Sequence, residues 1–161
     1  MEAANRGAAN VPQSKNMGLL ITLPCEPELN VSVSPVLAFQ FHYFCSRKFW
    51  LFYQCRVLIC APGGFGTLDE LFEFLTMKVT GRFPRKVPIV LYGKAFWTSI
   101  VNWQALITYG VISQSDYDVL FFADTVQEAM KYITTYLVEM GIEMADEIQI
   151  AQGTKRTCED A

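Results

Sequence analysis

CAPGGFGTLDELFEF, residues 60–74, decides the reading of this chain. Gly63, Gly64 and Gly66 fall between the apolar run RVLICA at 56–61 and an amphipathic run that opens at Thr67. Glycine admits positive φ and lets the backbone come close to a ligand. A loop between a strand and a helix N-terminus offers free N–H groups and the positive end of the helix dipole, both of which favour an anion. Thr67 adds a hydroxyl at the same point. Two readings stand: a phosphate-binding loop, or a tight strand-to-helix turn whose glycines serve conformation alone. The spacing GGxG is not the GxGxxG dinucleotide fingerprint, and no GK[ST] follows as in a P-loop.

Glu70 also carries two readings. Thr67-Leu68-Asp69-Glu70 matches a capping box, in which Glu70 would accept the backbone N–H of Thr67. With Leu68 as the centre of the buried stripe, Glu70 lies about 200° around the helix and points into whatever cleft the loop borders. There an ionised carboxylate could stabilise positive charge on a sugar ring or orient a water. Asp69 and Glu70 together repel a phosphate, so a cation is needed nearby. Arg47 and Lys48, in CSRKFW at the start of the preceding helix, are the best candidates. In a parallel sheet that helix start shares the C-terminal strand edge with the loop. The plain alternative for the pair is a solvated surface.

Working outward, residues 1–10 read as the end of an alanine-rich helix. GLLITL (18–23) reads as a buried strand and the aromatic run LAFQFHYF (37–44) as another. Ser46 is placed to cap a helix running to about Gln54. RVLICA (56–61) and VPIVLY (87–92) are compact apolar runs of the kind covered on both faces. Between them Leu68, Leu71, Phe72, Leu75 and Val79 recur at helical spacing, with Gly81 suited to the C-terminal end. A helix over 96–108, a strand over 119–122 and a long amphipathic helix over 125–140 follow. Strands alternating with helices give an α/β fold with a doubly wound parallel sheet, one domain over 1–140 and a polar C-terminal tail over 141–161.

Composition bounds the rest. The chain has 161 residues, 52% hydrophobic and 18% charged, which suits a folded domain rather than a disordered one. A net charge of −3 with no basic run argues against nucleic acid as a partner. Five cysteines without CxxC spacing (Cys25, Cys45, Cys55, Cys60, Cys158) and a lone His42 indicate reduced thiols in a cytoplasmic protein and no zinc site. No stretch is long enough to span a bilayer, and MEAANRGAAN lacks a signal-peptide layout. His42 is expected to be packed within its aromatic strand, Cys60 to be a buried thiol, and Trp50, Trp97 and Trp103 to lie in the core or at a subunit interface.

PGGFGTLDE at 62–70 resembles the PGGxGTxxE motif of the Lonely Guy family, the phosphoribohydrolases that activate cytokinins and were once labelled lysine decarboxylases. SRKFW at 46–50 is similar to that family's second signature, an Arg-Lys pair opening a helix. MEAANRGAAN resembles the family segment that follows its first glycine-rich loop. The resemblance implies a Rossmann-like fold, a homodimer, and hydrolysis of the N-glycosidic bond of a purine nucleoside 5′-monophosphate to free base and ribose 5-phosphate. By matching position, Arg47 and Glu70 would be catalytic and Gly63, Gly64, Gly66 and Thr67 would hold the phosphate. Lys48, Glu2 and Asn5 would be nucleotide contacts. No metal or organic cofactor is implied, and no stretch marks the pyridoxal phosphate site a decarboxylase requires. Met1 matches an internal position of the family pattern, so N-terminal βα units are expected to be missing. Alternatives on the same fold are a non-catalytic nucleotide carrier and a truncated paralogue that acts by dimerisation. No residue selects between AMP and its N6-modified, cytokinin-type counterpart.

Overall fold

The structure is a computed structural model and describes residues 2–22, 30–83 and 86–141. The polar tail beyond Gly141, Leu23, Cys25 and Cys158 lie outside the described residues. Two compact units are formed, Met1–Cys55 and Arg56–Ala161. Every strand pairing is parallel, as the alternation of strands and helices predicts. Within the first unit the strands pair as β1-β2, and within the second as β3-β4-β5.

In the first unit α1 (Glu2–Ala9) leads to β1 (Gly18–Ile21), and a 3₁₀ turn at Pro35–Leu37 delivers β2 (Ala38–Phe41). The register runs from Gly18 opposite Ala38 to Ile21 opposite Phe41. α2 (Phe44–Tyr53) packs on both strands. Among the described residues of this unit Ile21, Val33 and Phe52 are the buried apolar ones. Asn5 fastens α1 to the chain after it. Its side-chain NH₂ donates to Asn16 Oδ1 (3.3 Å), its Oδ1 accepts from Asn30 Nδ2 (3.3 Å), and its carbonyl accepts from Asn16 Nδ2 (3.0 Å).

The second unit holds β3 (Leu58–Cys60), β4 (Ile89–Tyr92) and β5 (Leu120–Ala123) in that spatial order. α3 (Phe65–Val79) connects β3 to β4. α4 (Lys94–Ile100), α5 (Trp103–Thr108) and α6 (Gln114–Tyr117) connect β4 to β5, and α7 (Val126–Glu139) closes the unit. β4 is the central strand, with Ile89, Val90 and Leu91 fully buried, so its uninterrupted apolar run is accounted for. β3 departs from the same expectation. Ile59 is 54% exposed, so one face of this strand is open there.

Val90 and Ala123 of the sheet pack with Ala129, Ile133 and Leu137 of α7, and Phe121 stacks on Tyr132 at 4.0 Å. The spacing of Ala129, Ile133 and Leu137, four residues apart, lays one face of α7 on the sheet. Thr125 and Glu128 form a true capping box at its start. Gly81 takes φ 68° just past the C-cap of α3, as its place after the apolar repeat predicts.

The helix read over 96–108 is two helices. Val101 is extended and Asn102 accepts the Ala105 N–H at 3.0 Å, starting α5 afresh. Asparagine offers the backbone this alternative to helix continuation, and the apolar periodicity conceals it. The SQSDY turn, α6, carries a Ser113–Asp116 capping box that the sequence reading passed over. Trp97 is fully buried and donates its Nε1–H to the Tyr92 carbonyl at 3.1 Å. Trp103 is buried too, against Phe72, Tyr117 and Phe122. Trp50 is 53% exposed. His42 is exposed rather than packed, just beyond the end of β2, with its ring edge-on to Tyr43.

Candidate functional site

α3 begins earlier than the capping box required. Its first residue is Phe65 and its N-cap is Gly64, which has no side chain to offer. Thr67 is therefore the third helical residue, and Glu70 lies in the second turn, beyond capping reach of the helix start. The reading of Glu70 as a cap is overturned. The first intrahelical bond runs from Leu68 N–H to Gly64 O at 3.1 Å. The N–H groups of Phe65, Gly66 and Thr67 precede it and have no acceptor among the described residues.

The neighbouring helix starts on this sheet edge are filled by the chain's own carboxylates. Asp124 Oδ1 accepts the Lys94 N–H of α4 at 2.7 Å. Glu128 Oε2 accepts the N–H groups of Asp124 and Thr125 at 3.0 and 3.1 Å. Those bonds, Asp124 N–H first and Thr125 N–H next, hold the Glu128 carboxyl below its ordinary pKa.

The three loop glycines have two physical reasons between them, and positive φ is neither. Gly64 has φ −91°, and Gly63 and Gly66 are not in the left-handed region either. Gly63 is required by crowding. A Cβ there would overlap Thr67 Oγ1 and stand 2.8 Å from Thr67 Cβ. Gly64 and Gly66 have nothing within 4 Å of the place a Cβ would take. Neither backbone conformation nor packing asks for glycine at those two positions, which leaves room for an approaching group as their use.

Glu70 is half-buried. The buried stripe of α3 is centred on Leu71 and Phe74, both fully buried, rather than on Leu68. Glu70 thus stands about 100° from Leu71, on the flank of the stripe instead of opposite it. Glu73, three residues on, lies on the same side of the helix. It is also half-buried, and its Oε2 is shielded from solvent. The sequence reading missed Glu73. Its signal is the E-x-x-E spacing, which sets two carboxylates on one flank of a helix.

In the other unit Arg47 and Lys48 are half-buried in α2. That helix starts at Phe44 with Tyr43 as N-cap, so Ser46 does not cap it and Arg47 belongs to the end of its first turn. The Arg47 N–H donates to Tyr43 O at 3.2 Å, and the guanidinium lies 5.8 Å from the centre of the Phe44 ring. Glu2 is exposed and pairs with Arg6 at 3.6 Å. Asn5 is held in the asparagine cluster, with both ends of its amide engaged. An open cleft of about 490 Å³ in this unit, between residues 9–16 and 31–35, contains none of the predicted site residues. Among the described residues no group of three or more His, Cys, Asp or Glu side chains could hold a metal ion. No helix among them is long and apolar enough to cross a membrane.

Parallel strands joined by helices, with a glycine-rich turn leading from β3 into α3, define a Rossmann-like α/β protein. The chain belongs to the Lonely Guy family: the family model described as "Possible lysine decarboxylase" matches residues 1–133. No curated protein matches the chain.

Proposed function

We propose that this protein is a phosphoribohydrolase that cleaves the N-glycosidic bond of a purine nucleoside 5′-monophosphate, N6-modified purines included. The observation that carries the reading is the start of α3. Three N–H groups without acceptors among the described residues open a 15-residue helix, and Glu70 stands one turn further on. Such a helix end, with its dipole, suits a phosphate dianion. The Thr67 hydroxyl, seated over Gly63, adds a further donor, and the space at Gly64 and Gly66 admits phosphate oxygens close to the backbone.

In this reading Gly63, Gly64, Gly66 and Thr67 hold the 5′-phosphate. The bond from C1′ to the base nitrogen breaks with its electron pair leaving on the base. Positive charge then spreads over C1′ and the ring oxygen, and the Glu70 carboxylate stabilises it. Water adds to C1′ and gives up a proton, the base gains one, and free base and ribose 5-phosphate are released. Arg47 supplies a bidentate clamp for phosphate or carboxylate, with Lys48 as a secondary cation. The reaction draws on no metal or organic cofactor, and the working form is a cytoplasmic homodimer.

The test is incubation of the protein with AMP, isopentenyladenosine 5′-monophosphate and the two matching nucleosides, assayed for free base. Release from the nucleotides alone is expected. Equal turnover of nucleoside and nucleotide would remove the phosphate role of the glycine loop, and no release from any of them would remove the activity.

A further inference from the structure

Phe65 is 93% exposed, the most exposed aromatic side chain among the described residues. It makes no ring contact among them, although most aromatic residues of the second unit, including Phe72, Phe74, Phe83, Phe121 and Phe122, do. An apolar ring left in water forgoes the stabilisation that burial would give it. Its place makes that exposure informative. Phe65 is the first residue of α3, flanked by Gly64 and Gly66 with open space around both, and its own N–H is one of the three that begin the helix. A phosphate held by those N–H groups therefore has this ring beside it. In a 5′-nucleotide the base stands one sugar away from the phosphate, within the sweep of a phenylalanine side chain rooted next to the anion.

We propose that the Phe65 ring is the platform on which the base of the bound nucleotide stacks. This rests on the phosphoribohydrolase reading above and adds the base-recognition element to it. Stacking on an aromatic face is tolerant of hydrogen-bonding pattern, because every base has a π-face, and it is stronger for the larger purine surface. The site then selects a purine by its flat area and leaves the edge of the base free, so an N6 substituent is accepted without loss. A ring on the glycine loop also couples the two ends of the ligand. Phosphate and base are read by adjacent residues of one turn, and a fragment lacking the base loses the ring's contribution entirely.

Calorimetric titration of the 161-residue chain with AMP and, separately, with ribose 5-phosphate tests this. Glu70→Gln is present in every sample so that AMP is not consumed. Phe65→Ala is expected to weaken AMP binding roughly 10- to 100-fold, the span of base–aromatic stacking, and to leave ribose 5-phosphate binding unchanged. Phe65→Trp is expected to keep AMP affinity within a few fold. Equal weakening of both ligands by Phe65→Ala would mean that the ring only shapes the loop, and unchanged AMP binding would mean that the base lies elsewhere; either result overturns the platform. So does a change in sedimentation with AMP affinity intact, which would make Phe65 a subunit contact. If the parent protein binds neither ligand, the phosphate site itself is wrong and the platform falls with it. Binding of ribose 5-phosphate by a parent that gains nothing from the base overturns the platform alone.

Discussion

Gly63 and Thr67 interlock. The Thr67 hydroxyl occupies the volume that a Cβ on residue 63 would need, so the loop can close over the helix start only while position 63 has no side chain. Gly66, three residues on, has ordinary φ and open space, and it sits within the first turn of α3.

The two glycines should consequently respond in opposite ways. Gly63→Ala forces Thr67 aside and is expected to cost stability, in the range of about 1–3 kcal/mol typical of a steric conflict in a packed turn. Gly66→Ala replaces a poor helix former with the best one and is expected to raise stability by about 0.5–1 kcal/mol. Both should lose phosphate binding if the backbone is approached closely. Thermal denaturation alongside ribose 5-phosphate titration separates the cases, and a Gly66→Ala protein that binds normally would count against close approach at that residue.

For the chemical step, Glu70→Gln is expected to lower kcat by roughly 100-fold or more while leaving the melting temperature unchanged, as for a lost electrostatic group. Because Glu70 is not at the helix start, no capping loss confuses the result. Arg47→Ala should weaken both nucleotide affinity and turnover, and Lys48→Ala should do less, since a planar fork matches an oxyanion and an ammonium does not. A more damaging Lys48→Ala would exchange the two roles.

On α1 the expected effects are structural. Asn5→Ala removes the two side-chain hydrogen bonds of a part-buried cluster, with Asn16 Oδ1 and Asn30 Nδ2, and keeps the backbone carbonyl's bond from Asn16 Nδ2, at an expected cost of about 1–3 kcal/mol. Glu2→Ala breaks only an exposed pair and is expected to change stability by less than about 0.5 kcal/mol. Chemical denaturation measures both. A large drop in nucleotide affinity with unchanged stability in Asn5→Ala would instead make that residue the nucleotide contact that the family resemblance implies.

Glu128 gives a pH signature. Its carboxyl is held below the ordinary value by the Asp124 and Thr125 N–H groups. A depressed carboxylate contributes stability that is present above the unfolded-state pKa and is lost as pH falls through the folded-state value. The melting temperature of Glu128→Gln should therefore lie below that of the parent at neutral pH, and the two curves should converge on acidification. Parallel curves throughout would show that the ionised cap contributes nothing.

Much of this architecture was legible because it rests on local rules. The amphipathic repeat over 125–140 announces a helix, Gly81 a helix end, and the run at Ile89–Leu91 a strand with no exposed face. What escaped depended on competition between such rules. Thr67-x-x-Glu70 has the letters of a capping box, but Gly64 had already begun the helix. The apolar repeat through 96–108 hides the ability of Asn102 to restart it. Ile59 looks as buried as Val90 in the sequence, since exposure on one face of a strand is decided by what lies over it. At the candidate site the glycine loop and Glu70 were visible as a pattern. The near-total exposure of Phe65 and the shielding of Glu73 were not, because a phenylalanine or glutamate has the same letter in either environment.

The bonds that the Lys94 N–H donates to Asp124 and the Thr125 N–H donates to Glu128 have a consequence for traffic at the sheet edge. Each resident carboxylate serves as a permanent stopper. Two berths that free phosphate, sulfate or an acidic peptide could otherwise enter are closed by groups that cannot diffuse away. The start of α3, with Gly64 as its N-cap and no side-chain cap, holds no such stopper, and the proposed phosphate would moor there. Replacing either carboxylate by alanine, Asp124→Ala or Glu128→Ala, would free those N–H groups for an outside anion beside the proposed one.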